Sequence, residues 1–269
     1  ITLDDQRFVG NVGWRQNEQT YDAAVLMTSL GVEDLQLIYG FVGNVHQTNL
    51  NTLSARMHAF NGSWAGFKPV KLTGFVYLYD VIDAPAVSNM TFGVRGVGSR
   101  DLSDETSIGY QASYAYQQDY ENQPVSYAAH YFLGDVNVGY KPLGTLGVGY
   151  EMLGSDDGTK QFQTPTATFH AFNGWADVFA GNNGGPKGLR DLHPYIAPKL
   201  PNKFEGKLVY HRFWSDDGGD ALGNEYDAML SRPINKHLDL LTKFAYFDTS
   251  DSAVLPDLWR WWLMATVKF

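Results

Sequence analysis

Hydrophobic and polar residues alternate with period two along most of this chain. In Ser107 to Gln117, Ile108, Tyr110, Ala112, Tyr114 and Tyr116 fall on one side and Gly109, Gln111, Ser113, Ala115 and Gln117 on the other. In the last stretch, Leu258 to Phe269, the residues Trp259, Trp261, Leu263, Ala265, Val267 and Phe269 share a face, and Arg260, Trp262, Met264, Thr266 and Lys268 share the opposite one. Successive side chains of an extended chain point to opposite faces, so each stretch predicts a strand with one apolar and one polar side. Phe92 and Val94 oppose Gly93 and Arg95, Val136 and Val138 oppose Asp135 and Asn137, and Tyr150 and Met152 oppose Glu151 in the same way.

The predicted strands recur in a unit of strand, short turn, strand and long polar loop. Counting Ile1 to Gly10 as a strand gives fourteen strands, with seven long connections on one side and six short turns on the other. That first segment alternates poorly, because Asp4, Asp5, Gln6 and Arg7 follow one another, and it reads as the end of a strand that begins outside this chain. A strand of about ten residues, apolar on one face, wet on the other and aromatic at its ends, meets the needs of a membrane-spanning barrel. A soluble sandwich would alternate too, but a terminal Phe269 on the apolar face resembles the closing strand of bacterial outer-membrane barrels. The expected fold is therefore an all-β, transmembrane, antiparallel up-and-down barrel of about fourteen strands. It could also be the C-terminal part of one with about 16 to 18 strands. Residues 1–269 form one domain, with a long extracellular or pore-folded loop at about 154–188.

Composition agrees with this pattern. Aromatic residues make up 14% of the chain, a load that suits a girdle at strand ends. The mean hydropathy of -0.27 is that of a soluble protein, but in a barrel lumen residues cancel lipid-facing ones. No apolar run is long enough for a transmembrane helix. The chain has no Cys, hence neither a disulfide framework nor a thiolate metal site. Its net charge of -9 and lack of a basic block argue against nucleic acid as partner. Ile1 begins directly in ITLDDQRFVG, so an export signal is expected to have been removed or to lie outside this chain.

Two stretches, DQRFVGNVGWRQNEQTYDA from Asp5 to Ala23 and FQTPTATFHAFNGWADVF from Phe162 to Phe179, resemble the outer-membrane alginate export family, as does GYEMLGSDDG from Gly149 to Gly158. The resemblance implies a monomeric outer-membrane barrel among lipid and lipopolysaccharide. In the founding members such a barrel is a conduit for anionic alginate, supplied by a periplasmic export partner. It also implies a lumen rich in Arg and Lys, because a polyuronate presents one carboxylate per sugar. Parity places Arg95, Lys207, Lys243, Arg260 and Lys268 on the wet side, together with Asp135, Glu151, Asp227 and Asp239. Five cations against four anions is not a strongly cationic wall, which speaks against dedicated alginate traffic. Arg7 and Arg15, in the matching N-terminal stretch, are expected to add positive charge at the outer mouth.

Lumen charges can also serve as cross-lumen ion pairs, and Lys243 with Asp239 on one strand face is the expected structural pair. Phe169, Phe172, Trp175 and Phe179 recur at helical spacing, with His170 and Asp177 among them, but Asn173 and Gly174 limit any helix to a short or broken one. Their loop either narrows the pore or packs over the rim. SDDG occurs twice, and Asp156, Asp157, Asp216, Asp217 and Asp220 offer oxygen ligands for Ca²⁺ at the extracellular loops, where ordinary turn chemistry is the alternative. The seven His residues are dispersed and no catalytic motif is present, so an enzyme is not expected. The sequence thus predicts a passive channel for polar or anionic solutes, saccharides favoured. The rival reading is a scaffold barrel plugged by its long loop and anchoring partners.

Overall fold

The computed structural model describes residues 1–250 and 255–268. Its strands are β1 (Thr20–Thr28), β2 (Leu35–His46), β3 (Thr52–Trp64), β4 (Val70–Val81), β5 (Asn89–Asp101), β6 (Thr106–Gln118), β7 (Ala128–Tyr140), β8 (Gly144–Leu153), β9 (Ser155–Asp156), β10 (Lys160–Gln161), β11 (Leu189–Pro198), β12 (Glu205–Trp214), β13 (Ala221–Asn235), β14 (Leu238–Thr249) and β15 (Leu258–Val267). Thirteen of them form one sheet in which each strand lies antiparallel to its neighbours in chain order, while β9 and β10 make a small hairpin within the connection from β8 to β11. Helical structure among the described residues is confined to two 3-10 turns, Pro85–Val87 and Phe169–Ala171.

The sequence alternation becomes a division between outside and inside. One inward row runs across the sheet through Arg95, Ser113, Leu133, Glu151, Asp191 and Phe213. Beside it, Val94, Tyr114 and Phe132 form an outward row and are 60%, 46% and 40% exposed. Trp259, Trp261 and Leu263 of β15 also face out, whereas Glu151, Asp191, Glu225 and Gln117 are buried inside. This reverses the arrangement of a soluble protein and is what hydrocarbon around a polar interior demands.

The sheet wraps around its own N-terminal segment. Asp4 meets Asn61 of β3, Asp5 meets Arg95 of β5, Arg7 meets Glu151 of β8, and Trp14 packs on Trp262 of β15. Only a curled sheet brings strands from both its ends to one short segment. The end strands of the sheet are β1 and β15, and no ladder joins them among the described residues.

This segment corrects one expectation. Ile1 to Gly10 is not a strand but folds inside the sheet, leaving thirteen strands in the wall. Asp4 and Gln6 have φ of 50° and 67°, which breaks an extended run, and the Leu3 amide donates to the Val9 carbonyl at 3.0 Å to close a compact loop. A single parallel bridge, Val9 to Thr166, ties it to the long connection. Phe269, whose place on the apolar face the sequence suggested, lies outside the described residues.

Candidate functional site

Two segments share the lumen: the N-terminal stretch and the connection between β8 and β11. They meet at Arg7. Its guanidinium donates to both Glu151 oxygens, at 2.7 and 3.1 Å, and to Asn173 Oδ1 at 2.8 Å, while it lies 4.6 Å over the Phe172 ring. Glu151 further accepts from Tyr131 Oη at 2.8 Å and Asn173 Nδ2 at 2.6 Å. Arg7 is 1% exposed and Glu151 2%, so this is a buried, hydrogen-bonded ion pair in place of the expected outer-mouth charge, with one Arg7 guanidinium nitrogen left without a partner. The backbone reversal before Arg7 is what turns it inward.

The long connection is docked through its backbone. The Ala176 amide donates to Glu225 Oε1 at 2.6 Å and the Trp175 amide to Asp227 Oδ2 at 3.0 Å. Gly174 makes this possible: it has φ of +85°, and a Cβ there would fall 2.4 Å from Glu225 Oε2. Phe179 packs against Phe213 and Phe247, at centroid distances of 4.7 and 5.8 Å. The helical spacing of the aromatic residues therefore serves separate anchors. Only Phe169–Ala171 makes a helical turn, and Phe172, extended at φ -134°, ends it ahead of the left-handed Asn173 at φ 54°.

Towards the long connections, His170 stacks on Trp14 at 3.6 Å and joins Asp177 Oδ1 at 2.9 Å. Asp177 Oδ2 in turn accepts from Arg260 at 3.1 Å and lies 3.9 Å from Arg15. Burial pulls the His170 imidazole below its ordinary pKa, although Asp177 opposes the shift. Lys243 Nζ stands 3.3 Å from His170 Nε2 and 4.7 Å from the Trp175 ring. A cavity of about 180 Å³ opens on this side beside Trp14, Arg15, Asn49, His170 and Asp177. Towards the short turns, a cavity of about 240 Å³ lies under Phe172 and Trp175, lined by Gln111, Asp135, Tyr195 and Lys207. Lys207 sits over the Tyr195 ring at 4.9 Å, and Tyr195 Oη donates to Asp135 at 3.1 Å. Arg95 pairs with Asp5 and donates to Gln111 at 2.7 Å.

Lys243 and Asp239 do not pair. Asp239, at the turn end of β14, is taken by Lys268, whereas Lys243 is drawn to the rings of the inner segments. The two SDDG turns come together: Asp216 accepts from the Ser155 amide at 2.8 Å and from Arg190 at 2.7 Å, and Asp220 pairs with Lys187 at 2.7 Å. Asp156 accepts from the Ala128 amide at 3.3 Å, and Asp217 lies beside Gly158. Sequence reasoning missed Trp14, Asp191, His193 and Glu225. For the last three the signal was present, since Asp191 and His193 alternate with Leu192 as Glu225 and Asp227 alternate with Tyr226, whereas Trp14 lies in no strand.

No family model and no curated protein matches the sequence, so the alginate export resemblance is not confirmed. Solved structures do match. The outer membrane protein OprD from Pseudomonas aeruginosa superposes with a TM-score of 0.76 at 12% identity, over 99% of this chain and 73% of that one. OccAB3 of Acinetobacter baumannii gives 0.75 at 13% identity, over 94% and 68%. Pseudomonas aeruginosa OpdK with vanillate gives 0.73 at 14% identity, over 98% and 71%. The chain has the fold of these outer-membrane β-barrels.

Proposed function

We propose that this protein is a porin-like channel of the bacterial outer membrane that passes polar or anionic solutes, with saccharides favoured. The observation that carries this reading is the reversal of polarity across the sheet, with apolar residues outside and a charged lumen inside that two inner segments narrow. Arg15 lines the outer cavity and Lys207 the inner one, while Arg260 stands at Asp177 and Lys243 at His170, and these cations are the weak sites we assign to a passing anion. OpdK holds vanillate, a small carboxylate, and a solute of that class suits this path. A saccharide would meet Trp175 in the inner cavity, since Trp14 is already stacked on His170. No bond changes: flow follows a gradient, and pore width and wall charge set what passes. A monomer in lipid and lipopolysaccharide suffices, and a periplasmic export partner is required only for a polymer such as alginate.

Planar-bilayer conductance tests this. Stable ohmic steps with anion preference are expected, and replacing Arg95, Lys243 and Arg260 together by Gln should reduce the preference. No change would remove these residues from selectivity. The extent to which the two segments fill the lumen favours the second reading, a plugged scaffold barrel anchoring partners, and absence of any conductance would select it.

A further inference from the structure

We infer that Asp191, His193 and His211 form a binding site for a divalent transition metal ion such as Zn²⁺ in the lumen wall. The three residues project inward from adjacent strands β11 and β12, and one donor atom from each lies within 4.8 Å of the other two. His211 Nδ1 is 3.0 Å and His193 Nδ1 3.3 Å from the same oxygen, Asp191 Oδ2. Ligands about 2 Å from a tetrahedral ion stand about 3.3 Å apart, so two of the three separations need little adjustment.

Three further observations point to a cation here. First, His193 Nδ1 is shielded from solvent and makes no hydrogen bond, although a carboxylate oxygen lies beside it. Its ring takes that position because its cross-strand partner is Gly149, where a Cβ would fall 2.1 Å from Nε2. Second, the other nitrogen of His211 faces Asp227 Oδ2 at 3.6 Å, the carboxylate–histidine–metal relation that fixes the tautomer of a metal-bound imidazole. Third, buried carboxyl oxygens beside the site lack donors, although Lys207 lines the same cavity. Glu151, Asp191, Glu225 and Asp227 are all at most 3% exposed, Arg7 is committed to Glu151, and Glu225 Oε2 and Asp227 Oδ1 have no hydrogen-bond partner. A buried carboxyl oxygen without a donor is stabilised by a cation bound nearby.

Two imidazoles and one carboxylate suit a borderline-soft ion better than Ca²⁺ or Mg²⁺. Both His193 and His211 line the cavity of about 240 Å³, so a fourth ligand, water or a passing solute, can reach the ion. On binding, the ion takes the place of the proton shared by His211 and Asp191, which is released to solvent.

The test is equilibrium dialysis of the untagged, chelator-stripped full chain in detergent against Zn²⁺, with the bound metal counted by mass spectrometry. One Zn²⁺ per chain is expected, with His193→Gln and Asp191→Asn each weakening binding at least tenfold and Asp227→Asn, acting through His211, by about tenfold. Co²⁺ at the same site should give the intense visible absorption of a tetrahedral complex. His193 is 20% exposed and makes no hydrogen bond through Nδ1, so His193→Gln should keep the barrel's heat-modifiable gel mobility while it loses metal. No saturable Zn²⁺ uptake by the wild type would overturn the inference, as would uptake equal in wild type and a folded His193→Gln chain.

Discussion

The lumen has two walls of different chemistry. From β3 to β7 the inner face is largely neutral and aromatic, with Asn61, Tyr77, Tyr79, Thr91, Gln117 and Tyr131, and Arg95 and Asp135 are its charged exceptions. It holds the N-terminal segment by ring packing, with Phe8 at 5.0 Å from Phe75 and 5.3 Å from Tyr131, and by hydroxyls, as where Tyr79 Oη donates to the Phe8 carbonyl at 3.1 Å. From β8 to β15 the face is charged, with Glu151, Asp191, His211, Glu225, Asp227, Lys243 and Arg260, and it holds the long connection by carboxylates that accept backbone amides. The neutral wall depends on shape. The charged wall depends on compensation, and it is the one with groups able to bind a solute or an ion.

Removing compensation should have the largest effect. Glu151→Ala leaves the Arg7 guanidinium buried without its partner and should cost about 3–5 kcal/mol of stability. The double change Arg7→Met with Glu151→Met should restore much of it, as read from denaturant unfolding in detergent. On the neutral wall Phe8→Ala should cost about 3 kcal/mol, chiefly by opening a cavity. A smaller loss there than from Tyr79→Phe would invert the comparison, because deleting a single neutral hydrogen bond is worth about 1 kcal/mol.

Gly174→Ala should release the long connection without unfolding the sheet, since it places a side chain at positive φ and against Glu225. The backbone strain alone is about 1–2 kcal/mol. Faster proteolysis between residues 154 and 188, with strand content unchanged by circular dichroism, is the expected result.

The smallest effect is that of pH on His170. Its pKa is lowered from 6.5 by burial, so the released loop binds a proton more readily than the docked one. Docking is therefore fully favoured above pH 6.5 and weakens as pH falls from 6.5 towards the lowered value. Proteolysis of the loop should accelerate over that window, and His170→Gln should abolish the dependence.

The wall was legible in the sequence because a period-two pattern with one apolar face fixes both strand and facing. Ile108 to Gln117 and Trp259 to Lys268 show this residue by residue. What fills the wall was not legible. Ile1 to Gly10 has no period, and its path depends on left-handed backbone at Asp4 and Gln6 and on partners about 140 residues away, such as Glu151 for Arg7. The partner of Lys243 likewise came from a segment distant in sequence, where a neighbour on the same strand face had suggested Asp239.

The most direct test of the facing of this wall is a cysteine scan of β6 in lipid vesicles, which needs no background removal because the chain contains no Cys. Fluorophores attached singly from residue 108 to 117 should be quenched by lipid-borne nitroxides at 108, 110, 112, 114 and 116 only. Water-borne reagent should reach 109 and 111, while 113, 115 and 117 are shielded by the inner segments. Quenching that does not alternate along the strand would contradict the assignment of one face to hydrocarbon and the other to the lumen.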